Sequence, residues 1–94
     1  MNTLIEFDTF KILKETHPSL ELDEKHCSIG EVVDLLYHHD GVWITVKKDW
    51  KNNVYLGFEA IIECNNEHIH CGTFKTPTEA YQKAIKHYLK IKTI

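Results

Sequence analysis

Four residues near the end of the chain have side chains that commonly bind zinc. Cys64, His68, His70 and Cys71 lie within a stretch of eight residues. A structural zinc site is tetrahedral, so all four donor atoms must converge on one point. Whether these four converge depends on the strands that carry them.

The stretch from residue 54 to residue 74 has the alternating pattern of two strands joined by a tight turn. Apolar side chains alternate with others over residues 54–64, and a further strand follows over residues 68–74. Asn65 and Asn66 suit a two-residue loop, because asparagine tolerates the positive φ that such loops need. This loop pairs Cys64 with Glu67, Glu63 with His68, Ile62 with Ile69, Ile61 with His70 and Ala60 with Cys71.

The predicted register separates the four zinc-type residues. Cys64 and Cys71 fall on the face that buries Ile62 against Ile69, whereas His68 and His70 point the other way. The two cysteines are also too far apart along the strands for a disulfide. We therefore expect buried thiols and no metal bound by this set.

Two other groups of histidines are candidates for ligation. A weak site formed by the two strand histidines alone remains open. The pair His38 and His39 closes a helix, where a protonated imidazole interacts favourably with the helix dipole. The adjacent pair of residues 26 and 27 is a further His–Cys candidate.

Capping signals mark the start of two helices. Ser28 and Glu31 form a capping box that opens a helix over residues 29–39, which ends at Gly41. Thr76 and Glu79 form a second box, which opens a helix from residue 77 to about residue 91. A strand is predicted over residues 42–47, and a turn over residues 49–53.

A third helix is predicted at the beginning of the chain. Leu4, Phe7, Phe10 and Leu13 have the spacing of an amphipathic helix over residues 4–15. Residues 16–27 then form a connection, with a short extended piece near residues 20–22. The prediction is one α+β domain over residues 1–94: an N-terminal helix and connection over 1–27, and a core over 28–94. Its order is α-α-β-β-β-α, a three-stranded antiparallel meander with helices on one face.

The other face of the sheet is the best candidate for a binding surface. It is predicted to carry Trp43, Thr45, Lys47, Tyr55, Ile61, Glu63, His68 and His70. Exposed aromatic and aliphatic residues that cluster mark contact surfaces. We select Trp43, Tyr55, Ile61, Lys47 and His70 as the binding residues. Three alternatives remain open for this face. Residues 1–15 fold over it, a second copy packs on it, or it binds another protein or a nucleic acid.

Composition restricts the classes of function. The 94 residues carry a formal net charge of −3, and every basic residue is lysine. Arginine makes most bidentate contacts to phosphate and guanine, so its absence disfavours sequence-specific recognition of nucleic acid. The chain has no Gly-rich phosphate loop and no apolar run of about 18 residues. We expect a cytoplasmic protein that is not an enzyme and has no cofactor, no disulfide framework and no membrane span.

Residues 30–89 resemble small proteins found in bacteriophages and mobile elements of gut-type bacteria. The matching segments are residues 42–46, 58–62 and 74–81. This resemblance implies the same arrangement of helices and strands in a mobile-element setting, and it implies no activity.

A shorter segment, residues 72–80, is similar to the strand-to-helix junction of arm-type integrase DNA-binding domains and of AP2 domains. In those families a three-stranded sheet reads DNA and a helix supports it. Here the sheet carries Glu59 and Glu63 and no arginine, and the helix over 29–39 has no counterpart in them. We therefore favour a protein-interaction domain, with a second copy or another protein as the partner. A nucleic-acid-binding accessory domain is the alternative.

Overall fold

The fold is the predicted α+β arrangement of three helices and one three-stranded antiparallel sheet. The structure is a computed structural model, and it describes residues 3–23 and 27–92. The strand order is β1-β2-β3, a meander. The elements are α1 (Phe7–Thr16), α2 (Ile29–Asp40), β1 (Trp43–Lys51), β2 (Val54–Cys64), β3 (Glu67–Phe74) and α3 (Pro77–Lys92).

Two asparagine pairs close the two hairpins. Asn65 and Asn66 have φ values of 51° and 66°, and Asn52 and Asn53 have 53° and 64°. These left-handed values belong to two-residue loops whose twist matches that of the strands. The β2–β3 register is the predicted one from Cys64 opposite Glu67 to Ile61 opposite His70. Strand β1 continues to Lys51, beyond its predicted end, because the second asparagine pair makes the turn.

The pairing is irregular at two points, and the one between β2 and β3 departs from the predicted register. Ala60 lies opposite Gly72 rather than Cys71, and Trp50 lies opposite Tyr55, so that Leu56 has no partner on β1. Each irregularity is a β-bulge, which inserts one residue into one strand. Because side chains alternate, residues beyond a bulge change faces relative to a regular strand.

The helices bury one face of the sheet. The buried core joins Ile44, Ala60 and Ile62 of the sheet to Ile85 and Leu89 of α3. The predicted apolar face of α2 is buried as well, and it consists of Ile29, Val32, Val33 and Leu36.

Both predicted helix starts are capped by hydroxyl groups. The Ser28 side chain accepts a hydrogen bond from the Glu31 amide at 3.2 Å, and the Thr76 side chain accepts one from the Glu79 amide at 3.1 Å. Gly41 ends α2 in the left-handed conformation, with φ of 71°. The capping signals therefore identified these helix ends correctly.

The N-terminal segment packs on the helices and not on the open face of the sheet. Phe10 and Leu13 are buried in the helix-side core. Before α1 the chain is extended, and Ile5 donates to the carbonyl of Cys27 at 3.0 Å. The buried Gln82 side chain accepts from the Glu6 amide and donates to the Leu4 carbonyl. The prediction that residues 1–15 cover the open face is wrong for residues 3–15, and α1 begins at residue 7 rather than residue 4.

Candidate functional site

The open face of the sheet is mostly polar. His70 Nδ1 lies within hydrogen-bond distance of Glu59 Oε1, at 2.8 Å, and the Thr73 hydroxyl donates to Asp49 at 2.9 Å. Lys47 lies opposite Glu59. These pairs give the face a network of opposite charges and hydrogen bonds.

Two of the five predicted binding residues do not form an exposed surface on the open face. Ile61 lies between Thr45 and His70, but it is buried, with 7% of its surface exposed. Tyr55 contacts the ring of Phe58, which packs against the helix-side core. The bulge at Leu56 places Tyr55 on the helix side. The prediction of a patch shared by Trp43, Tyr55 and Ile61 on the open face is therefore wrong.

The other three predicted binding residues do lie on the open face. Lys47 and His70 are exposed, and Trp43 is 38% exposed. The Trp43 ring packs edge-on against Tyr37 of α2, with 5.2 Å between the ring centroids. The binding role of these residues stays a prediction.

Exposed apolar side chains cluster instead at the end of the β1–β2 hairpin. Residues 49–57, which we call the arm, extend beyond Phe58, where the pairing with β3 ends. Trp50, Val54, Tyr55 and Leu56 are each between 45% and 60% exposed. The Trp50 and Tyr55 rings pack together at 5.2 Å. The arm is a two-stranded ribbon that presents four large apolar side chains to solvent.

Lysines surround the arm. Residues 46–57 contain Lys47, Lys48 and Lys51 and a single acidic residue, Asp49, so their formal charge is +2. Residues 1–40 contain nine acidic residues and three lysines, a formal charge of −6. The arm itself, residues 49–57, contains one lysine and one aspartate and has no net charge. With the two lysines that precede it, this part of the chain is basic, whereas the first half of the chain is acidic.

A cleft lined by two glutamates and one lysine lies near the exposed start of α1. It has a volume of about 390 Å³ and is lined by Glu6, Thr76, Thr78, Glu79, Gln82 and Lys83. Leu4 and Phe7 are exposed, at 47% and 61%. Gln82 bonds to the backbone of both residues 4 and 6, which holds this segment against the start of α3. We call Leu4, Phe7, Glu6 and Glu79 the acidic rim.

The second notable group is a buried network around Asp40. Its carboxylate contacts His17 at 3.0 Å, His39 at 2.7 Å, Tyr88 at 2.6 Å and Lys92 at 3.0 Å. The Asp40 side chain is 3% exposed, but it lies just beneath the surface, under the half-exposed His39 and Lys92. His17 is fully buried. Four donors therefore converge on one carboxylate.

The network shifts the pKa values of two of its members. Burial alone raises the pKa of Asp40, but hydrogen bonds from Tyr88, His39, Lys92 and His17 outweigh it and hold that pKa well below its ordinary range. Burial, followed by the bond to the Asp40 carboxylate, raises the pKa of Tyr88. Asp40 is thus an anion and Tyr88 a neutral donor at neutral pH.

Sequence reasoning missed this network. Asp40 ends α2, where a negative charge is unfavourable to the helix dipole. An acidic residue in that position, next to two histidines, was a signal that it had partners elsewhere. His17 and Tyr88 come from distant parts of the chain, so spacing does not bring them together.

Only one group of possible metal ligands converges among the described residues. The ligand atoms of His17, His39 and Asp40 all lie within 4.8 Å of one another. The predicted separation of Cys64 and Cys71 from the strand histidines agrees with the fold, since both cysteines pack against the core. Burial raises the pKa of Cys71, which makes its thiol a poorer ligand and nucleophile.

No family model, curated protein or solved structure matches this chain. The resemblance to proteins of phages and mobile elements stays a prediction. Within the described residues, none of the helices has the length and apolar character needed to cross a membrane.

Proposed function

We propose that this chain is a cytoplasmic protein-interaction domain that acts by contact rather than catalysis, and that its arm is the contact element. One observation carries the proposal: large apolar side chains are concentrated on the arm. Aromatic residues, tryptophan above all, dominate the energy of protein interfaces. The three free cysteines are compatible with a reducing compartment.

We propose a second copy of the chain as the partner. Two arms packed directly on each other would bring like charges together, because residues 46–57 of each copy carry a formal charge of +2. An arm packed on the acidic rim of the other copy meets both apolar side chains and carboxylates. In a twofold dimer this contact occurs twice, because each copy supplies one arm and one rim.

The position of the acidic rim supports this arrangement. The arm begins where β3 ends at Phe74, and α3 begins three residues later. Gln82, in the second turn of α3, holds the segment that contains Leu4 and Phe7. The arm and the acidic rim are therefore both linked to the same end of the sheet, so two copies can meet end to end.

Replacing Trp50 with alanine tests this role of the arm. Light scattering and sedimentation of the wild-type protein are expected to give a dimer. Loss of an interfacial tryptophan costs at least about 2 kcal/mol, so Trp50→Ala weakens the dimer by at least about 30-fold. A wild-type protein that stays monomeric at every accessible concentration contradicts the proposal.

Trp43→Ala is the matched control, because it removes the same side chain from the open face. It is expected to leave the dimer affinity unchanged. If Trp43→Ala breaks the dimer and Trp50→Ala does not, the open face is the interface, which is one of the alternatives that the sequence leaves open.

Nucleic acid is the second candidate partner, because Lys47, Lys48 and Lys51 lie close to Trp50 along β1. Lysines can contact phosphates while aromatic rings stack on bases. Three phosphate contacts imply that affinity falls roughly 40-fold between 50 and 200 mM salt. Fluorescence anisotropy with labelled single- and double-stranded DNA measures this. An absence of binding at 50 mM salt removes this candidate.

A further inference from the structure

The two oxygens of the Asp40 carboxylate have different sets of partners. Oδ1 lies 2.7 Å from His39 Nδ1 and 3.0 Å from His17 Nε2. Oδ2 accepts from the Tyr88 hydroxyl at 2.6 Å and from the Lys92 ammonium at 3.0 Å, and it also lies 3.0 Å from His17 Nε2. Donors on Oδ2 hold the carboxylate in place, with Oδ1 directed at the two imidazole rings.

The hydrogen bonding of Thr16 affects which nitrogen of His17 carries a proton. The Thr16 hydroxyl lies 2.7 Å from His17 Nδ1, and it also lies 3.0 Å from the carbonyl of Ile12 and 3.1 Å from that of Leu13. A hydroxyl has one hydrogen. When Thr16 donates it to a helix carbonyl, it can only accept from His17, so Nδ1 is protonated.

In that arrangement a neutral His17 directs the lone pair of Nε2 at the Asp40 carboxylate. Two electron-rich atoms 3.0 Å apart repel each other unless a cation lies between them. A metal ion between the two atoms removes this repulsion, and so does the alternative arrangement in which Thr16 donates to Nδ1 and the Nε2–H group donates to Asp40. Histidines that bind metals usually donate their other N–H to an oxygen, as His17 then does to Thr16.

We propose that His17 Nε2, His39 Nδ1 and Asp40 Oδ1 bind a divalent transition metal ion such as Zn²⁺, with water as the fourth ligand. Two imidazoles and one carboxylate are a donor set that suits zinc. Tetrahedral donors about 2.0 Å from zinc lie about 3.3 Å apart, so the present contacts need to open by a few tenths of an ångström. Rotation of the half-exposed His39 provides this movement.

The surroundings of the site favour a cation and allow it to enter. His39 and Asp40 lie in the last turn of α2, where the helix dipole presents partial negative charge. The His39 side chain is 45% exposed, which leaves a path from solvent. Lys92 contributes an opposing charge, and its 37% exposed side chain can turn into solvent when the metal binds.

Zinc and cobalt titrations of protein purified without an affinity tag or chelator test the proposal. We expect about one metal ion per chain, the visible absorption of tetrahedral Co²⁺, and a rise in Tm on the order of 10 °C at zinc near 100 times Kd. His39→Ala is expected to weaken binding by more than about 100-fold, since losing an outer-shell partner alone costs 10–100-fold. His39→Gln keeps a donor for Asp40 and preserves the fold if the alanine variant is unstable.

Neighbouring and distant histidines provide controls. His38→Ala changes the adjacent exposed residue of α2, and His68→Ala changes a histidine on the open face, so both are expected to bind zinc as the wild type does. If zinc gives no shift with the wild-type protein, hydrogen bonds alone hold the network together and the proposal is wrong. A shift that survives both His39 variants places the metal elsewhere and also overturns it.

Discussion

Replacing Asp40 with asparagine is expected to lower the free energy of unfolding by about 3 kcal/mol. Asparagine has the same shape, but its NH₂ group must face donors on one side of the network. In a domain of this size the corresponding fall in Tm is on the order of 15 °C. Urea unfolding and thermal melts of both proteins measure the difference.

Asp34→Asn is the matched control for this substitution. Asp34 lies on the same helix but is exposed, so the change is expected to alter the free energy of unfolding by less than about 0.5 kcal/mol. Equal effects at both positions would contradict the stabilising role of the Asp40 network.

The same network predicts how stability changes with pH. The pKa of Asp40 in the folded state lies below its ordinary value of 3.8. On acidification the unfolded chain therefore binds a proton at this group before the folded chain does, which favours unfolding. The contribution of Asp40 is fully present above about pH 5 and is lost as the pH falls toward the folded-state pKa. Asp40→Asn is expected to flatten the fall in stability between pH 6 and pH 3 by about 1 kcal/mol, and the rest of the Asp40 contribution is lost only at lower pH.

Replacing Gly57 with alanine is expected to cost about 3 kcal/mol, the second largest effect. Gly57 has φ of +134°, a conformation that L residues rarely adopt, and a Cβ there would collide with the carbonyl oxygen of Phe74. The collision forces β2 and the end of β3 apart at the base of the arm. Denaturant titration measures the loss, and proteolysis of the arm should become faster.

Gly41→Ala is the control that measures the cost of a left-handed backbone conformation without a steric collision. Gly41 also has a positive φ, of +71°, but an added Cβ there meets no atom within 4 Å. We expect a cost of about 1 kcal/mol, from the left-handed conformation alone. If Gly57→Ala costs no more than Gly41→Ala, the close approach to Phe74 is not what requires glycine at the base of the arm.

Local signals predicted the elements and most of the register. The hairpin at Asn65 and Asn66, the caps at Ser28 and Thr76 and the stop at Gly41 all involve residues close in sequence. Each depends on backbone preferences of one or a few residues, which a sequence displays directly.

The bulges were not predicted, although the sequence contained a hint of them. Gly57 and Gly72 interrupt two strand patterns, and isolated glycine in a strand often marks a bulge. The consequence is large, because a shift of one residue moves Tyr55 from the open face to the helix side. Neither that shift nor the burial of Ile61 follows from alternation alone.

The Asp40 network could not be predicted from neighbouring residues, for a different reason. Asp40 and Tyr88 are 48 positions apart, and His17 precedes Asp40 by 23 positions. Only the packing of α1 and α3 beside the end of α2 brings these groups together. Spacing rules detect metal and catalytic groups within one element, and this group comes from three.

The central claim is that the arm of one copy contacts the acidic rim of another. The most direct measurement is an isotope-filtered NOE experiment on a mixture of labelled and unlabelled chains, which detects contacts between copies only. The proposal predicts intermolecular NOEs from Trp50 and Leu56 to Leu4 and Phe7. Intermolecular NOEs that instead join the arm to the arm, or involve only Trp43 and its neighbours on the open face, would contradict it.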